Sequence, residues 1–324
     1  MRNDQRTFHI YDLKIAARKE GATKPTMIQV HDVWEQMRAA GRTYSIQAGE
    51  AVMLIGDINI NLAQQYAVVL LRLSDKLAPN SVYSDPVAGE FTVHEKVGDV
   101  GSDYACHVLI SLAPEADLPN IYTCAVERVT GLAPGLVQRA LSKFLHIEFN
   151  ENADFFKYPS PGGGLNQNGE PRMDRCCPHV ELRGRPSQSL VDDINNGRLS
   201  GISLIRAEAV TPVAGAPYLI REQSELKLAI NRDNLPAQVW NSLQQTLNQN
   251  SGEYARAKVS YRVANSKRVV TVELNAATGE PLNSLYIEAF DIDNIFPPLA
   301  QSSATIVPRL ITPAIPLFVQ KRTI

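Results

Sequence analysis

The run Tyr66-Ala67-Val68-Val69-Leu70-Leu71-Arg72-Leu73 constrains the fold of this chain more than any other stretch. It is apolar almost without a break, so it reads as a strand buried on both faces. Residues 7–15 alternate instead, as a half-buried opening strand does. A helix is predicted from about Met27 to Ala40, with Val30, Val33, Trp34 and Met37 at helical spacing and Gly41 at its end. Tyr44–Ile60 reads as two strands around Ala48-Gly49-Glu50. Residues 74–104 are polar and punctuated by Pro and Gly. Cys106–Leu112 and Ile121–Val129 are further strands, and Pro134–Leu145 is an amphipathic helix. Strands outnumber interspersed helices, so the expected fold class is α+β.

The clearest boundary is Tyr158–Arg172, which holds Pro159, Pro161 and Gly162-Gly163-Gly164. It reads as a linker between two mixed sheet-plus-helix domains, residues 1–157 and 173–294. In the second domain Val180–Arg185 is a strand, Ser187 a helix N-cap, and Leu190, Val191 and Ile194 a short helix ending at Gly197. Leu199–Ala209 and Tyr218–Ile230 are strands. Asn234–Asn250 is a helix presenting Leu235, Val239, Leu243 and Leu247 on one face. A basic strand follows at Tyr254–Ala264, and Val269–Leu274 and Leu282–Phe290 flank the hairpin signal Ala276–Gly279. Residues 295–324 form an apolar arm. Its prolines, among them Pro308, Pro313 and Pro316, argue against helix and central strand, so irregular packing on its own domain or on a neighbouring subunit is expected.

Composition excludes some classes. The chain carries 32 Lys+Arg against 34 Asp+Glu, a net charge of −2, unlike a histone or ribosomal protein. Four cysteines and an N-terminus without the apolar core of a signal peptide lead to a cytoplasmic expectation.

Several motifs fall short of catalysis. The glycine triplet lacks the Lys-Ser/Thr of a phosphate loop. Adjacent Cys176 and Cys177, before Pro178-His179, point apart on an extended chain and read as structural rather than as zinc ligands. Arg139 and His146 have a spacing used by some helical ribonucleases, but here they fall on one helix of a strand-rich unit. Glu225-Leu226-Lys227 could be half of a metal-dependent nuclease site, yet Asp192 and Asp193 fall on a helix rather than a preceding strand. Strand alternation, with Leu226, Leu228 and Ile230 inward, explains it as well. The expectation is no catalytic set, no metal and no cofactor. The alternatives are that nuclease, or a non-catalytic interaction protein using the apolar arm.

The functional signal is a charge pattern. Arg256, Lys258, Ser260 and Arg262 share one face of a strand, followed by Lys267 and Arg268. Arg183-Gly184-Arg185 leads into the helix at Ser187, a favourable phosphate seat. Such cations suit a polyanion, because neutralising phosphates releases counterions. Arg183, Arg185, Arg256, Lys258, Arg262, Lys267 and Arg268 are therefore expected to bind DNA backbone from one continuous, carboxylate-free groove, with Tyr254 and Tyr261 packing against sugars.

The element order resembles the RexA-type phage exclusion proteins and, more distantly, the KwaB component of the Kiwa anti-phage system. The likeness is carried by the strand Phe8–Leu13, the helix near Val30–Met37, and the strand pair Gln47–Ile60. The polar segment before Tyr104–Leu112 and the pieces Val191–Ile205 and Val269–Glu288 carry it further. The resemblance implies a cytoplasmic protein of phage defence or abortive infection that binds duplex DNA without sequence preference. It also implies a homo-oligomer, dimer or larger, beside a membrane-protein partner encoded nearby. The proline-rich arm departs from the helical C-terminus that the resemblance implies.

Overall fold

The opening alternation becomes β1 (Arg6–Ala17) in the computed structural model, which describes all residues except 1, 20, 153, 214–215, 264–267 and 323–324. α1 (Met27–Ala39) begins at a capping box formed by Thr26 and Gln29, and it buries Val30, Val33, Trp34 and Met37. β2 (Thr43–Ile46), β3 (Ala51–Asn61) and β4 (Tyr66–Asp75) follow, and β4 is buried from Tyr66 through Leu71. The polar stretch beyond it holds an exposed hairpin of β5 (Ser81–Asp85) and β6 (Glu90–His94). β7 (Ser102–Ser111), β8 (Ile121–Glu127) and α2 (Pro134–Glu151) come next, then β9 (Lys157–Pro159), β10 (Met173–Arg175) and β11 (Pro178–Gly184). Beyond these lie α3 (Gln188–Asp193), β12 (Leu199–Val213), β13 (Ala216–Leu228) and α4 (Val239–Gln249). β14 (Arg256–Arg262), β15 (Val269–Asn275), β16 (Ala289–Ile292) and α5 (Pro308–Val319) complete the chain. The fold is α+β.

Two units separate by contact: Met1–Leu182 with Phe290–Ile324, and Arg183–Ala289. In the first, one sheet has the order β11-β1-β8-β7-β4-β3-β2, with β16 also against β1. Tyr66 and Val68 of β4 join Phe8, Ile10 and Leu109 in a core closed by Leu310, Ile311, Ala314 and Phe318 of α5. Leu71 and Leu73, paired with Ile55 and Met53, face the other side, where α1 lies against β3. The unbroken apolar run of β4 is thus explained by cover on both faces. Trp34 fixes α1 to α2 by donating its Nε1–H to the Leu141 carbonyl at 3.1 Å.

The chain does not cross between units at 158–172. That stretch is a hairpin loop inside the first unit, closed by the pairing of β9 with β10 and by Ser160 N–H donating to Arg172 O at 2.8 Å. Its glycines and prolines serve turns within a loop whose ends are tied together.

The arm is also ordered differently from the sequence expectation. Residues 308–319 are helical despite Pro313 and Pro316, and they pack on the first unit's own sheet. Pro308 stands at the first helical position, where a missing N–H costs nothing. An interior proline costs about 3 kcal/mol. Full burial of Leu310, Ile311 and Phe318 returns roughly 1.5–3 kcal/mol each. Side chains of the sheet meet the amides before the helix. Asp57, turned by a bulge between Ile55 and Asp57, accepts from Ile306 N–H at 2.9 Å. A side chain at Gly56 would come within 2.7 Å of the Arg72 side chain, so the bulge calls for glycine. His107 Nε2 accepts from Val307 N–H at 3.1 Å, which leaves Nδ1–H to donate to Glu127 at 2.7 Å. Glu127 also accepts from buried Arg6 at 3.0 Å.

The second unit is a four-stranded antiparallel sheet, β13-β12-β14-β15. One face is covered by α3 and α4 through Leu190, Val239, Trp240, Leu243 and Leu247, packed on Ala257, Val259 and Tyr261. α4 starts later than its apolar spacing predicts, because Pro236 keeps Leu235 extended at ψ 131°.

Candidate functional site

β14 alternates as read from the sequence: Ala257, Val259 and Tyr261 are buried, while Arg256 and Arg262 are exposed and Lys258 is half-buried. Across the strands, Lys258 pairs with Ser203 and Glu273, and Ser203 pairs in turn with Lys227. Arg256 lies opposite Ile205, which is itself opposite Glu225. Paired residues share a face. Arg256, Lys258, Arg262 and Lys227 therefore stand on the side away from the helices, together with Ser203, Ser260 and Thr271.

That face is not free of carboxylates. Glu273 reaches Arg256 at 3.7 Å and Lys258 at 4.0 Å, and Glu225 joins it from the edge strand. Neither contact is hydrogen-bond short, and all three side chains are exposed by more than a third. Exposed pairs of this kind are worth about 0–1 kcal/mol, so a phosphate can displace Glu273. Among the described residues Arg262 has no ion pair.

Several predicted members do not join this face. Tyr261 is 5 % exposed and belongs to the core; burial pushes its hydroxyl up to about 12. Tyr261, at an odd position of β14, is turned toward α4, and Tyr254, which precedes the strand, is half-buried against the same core. Arg183 and Arg185 sit at the end of β11 and just beyond it, outside the four-stranded sheet, where Gly184 N–H donates to Glu280 at 3.1 Å. The helix they precede, α3, has only six residues, and the Ser187 side chain makes no cap there. Arg183, Arg185 and Arg268 are each engaged by other groups. Lys267 lies outside the described residues. The single groove expected from sequence resolves into one sheet face.

Glu225 and Lys227 point outward as alternation requires, whereas Leu226 and Leu228 on the edge strand stay 44 % and 37 % exposed. Asp193 is on α3, bonded to Arg198. No group of three or more His, Cys, Asp or Glu among the described residues is arranged to hold a metal. Among the described residues no helix is long and apolar enough to cross a membrane.

A second basic region lies in the first unit. A cleft of ≈ 670 Å³ opens between the end of β1, α2 and the chain at 175–180. Arg18, Lys19, Arg139, Lys143 and Arg175 line it, with His146 and His179 and, among the described residues, no Asp or Glu. Arg139, Lys143 and His146 recur at helical spacing along α2. Ser142 and Gln138 of the same helix hold β11 by accepting from Val180 N–H at 3.0 Å and Leu182 N–H at 2.7 Å. Arg175 lies over the Phe149 ring at 4.3 Å and donates to the Asn152 carbonyl at 3.1 Å. Cys177 lines the cleft too; burial pushes its thiol up to about 11, so it is protonated at neutral pH. The helical recurrence of 139, 143 and 146 was the available signal. Their meeting with Arg18, Lys19 and the stretch 175–180 is non-local and left no signal.

No protein-family model, no curated protein and no solved structure matches this chain.

Proposed function

We propose that the protein binds the phosphate backbone of duplex DNA without sequence preference, through the outer face of the four-stranded sheet. The observation that carries this reading is the placement of Arg256, Lys258, Arg262 and Lys227 on one face, beside the hydroxyls of Ser203, Ser260 and Thr271. Cations and hydroxyls contact phosphate and sugar, which carry no sequence information. Tyr261 is turned to the core and Tyr254 packs against it, so β14 itself presents no exposed ring on which an unpaired base could stack. That favours duplex over single strand. The resemblance to RexA-type exclusion proteins supports the same reading. With it come a role in phage defence, a cytoplasmic location, assembly as an oligomer, and action beside a membrane partner.

Anisotropy of a labelled duplex, titrated from low to moderate salt, tests the proposal. Two to four phosphate contacts correspond to a log–log slope of about −2 to −4, with a dissociation constant of roughly 10⁻⁴–10⁻⁶ M at physiological salt. Arg256→Glu with Arg262→Glu should flatten the slope by about two units. Absent binding, or an unchanged slope in the double variant, overturns the reading.

A further inference from the structure

The geometry points to the cleft of the first unit as a binding site for a nucleotide bearing two or more phosphates. It is independent of the DNA face and rests on different residues. Three observations converge on it. Five permanent cations line one cavity that no carboxylate among the described residues lines, a surface whose field favours an anion. Among the described residues, Arg18, Lys19, Arg139 and Lys143 have no ion pair. Glu181, outside the lining, reaches His179 Nε2 at 3.3 Å and Lys14 at 3.9 Å. In addition, Arg175 Nε and His179 Nδ1 are buried without a hydrogen-bond partner, and both side chains line the cleft. Buried polar atoms are nearly always paired, and these two, behind the cleft wall rather than open to it, mark where a small shift of either side chain would gain a bond to a ligand.

Size and walls indicate more than a free phosphate. The ≈ 670 Å³ lies in the range of small-molecule sites, roughly 300–1,000 Å³. Tyr44, Phe149, Pro178 and Val180 supply apolar wall, and the guanidinium of Arg175 braces one ring. A flat heterocycle can lie along that wall while its phosphates meet Arg18, Lys19, Arg139 and Lys143. Arginine and lysine contact the phosphates directly, so binding needs no divalent ion.

Isothermal titration of the full chain with ATP in EDTA tests the assignment, with inorganic triphosphate and adenosine as separate arms. ATP should bind, triphosphate more weakly, and adenosine weakest. Arg139→Glu with Lys143→Glu should lower ATP affinity at least tenfold, and Lys19→Gln should lower it by a smaller factor. Arg256→Glu with Arg262→Glu should leave ATP binding unchanged, which separates this site from the DNA face. Circular dichroism of the variants guards against misfolding, and Lys19→Gln keeps the test open if the double variant fails to fold. No ATP binding at millimolar concentration, or affinity unmoved by the cleft variants, overturns the proposal. Triphosphate binding as tightly as ATP overturns the nucleotide assignment.

Discussion

Tyr261 and Arg262 are neighbours with opposite fates, one buried in the core and the other exposed at the end of β14. Their separation was readable, because strand alternation is a local property; the error was to give Tyr261 a surface role on the strength of its ring. His31 shows a different residue-level constraint. It is buried on α1 with neither ring nitrogen hydrogen-bonded, and burial holds its imidazole below the ordinary histidine value, against a smaller opposing pull from Asp32. Burial likewise lowers His9, with Arg128 adding to it. In both cases the unfolded chain takes up a proton that the folded chain resists. Their contribution to stability is full above the unperturbed value near ~6.5 and is lost as pH falls below it. Urea midpoints measured between neutral and mildly acid pH should therefore decline, and His31→Leu should flatten that decline. An equally steep profile in the variant would contradict this account of His31.

At the scale of elements, periodicity read from sequence located the strands and helices wherever local pattern governs. β4, α1, α2 and β14 all lie where their spacing puts them. α5 does not, since two interior prolines outweighed an apolar face that only tertiary packing makes decisive. Its stability should accordingly depend on that face. Phe318 is fully buried against the sheet, and Phe318→Ala should cost about 3–5 kcal/mol in chemical denaturation. A loss well below 1 kcal/mol would mean that the helix is held by its anchors at Asp57 and His107 rather than by burial.

For the whole molecule, the two units and the two basic regions depend on contacts far apart in sequence. The return of 290–324 to the first unit has no local signature, and a Gly/Pro-rich stretch looks alike as linker or hairpin loop. The cleft joins α2 to residues just beyond β1 and to 175–180, so its assembly had no local signature. The sheet face was legible along β14 alone; its opposing Glu273 and the supporting Lys227 arrive through strand pairing. That pairing makes the central claim testable in a direction unlike simple loss of charge. Glu273→Gln removes the carboxylate between Arg256 and Lys258 and frees both for phosphate. Duplex affinity should rise in this variant, and the salt slope should steepen by about one unit. Affinity that stays the same or falls, in a protein of unchanged fold, would contradict the assignment of this face to DNA.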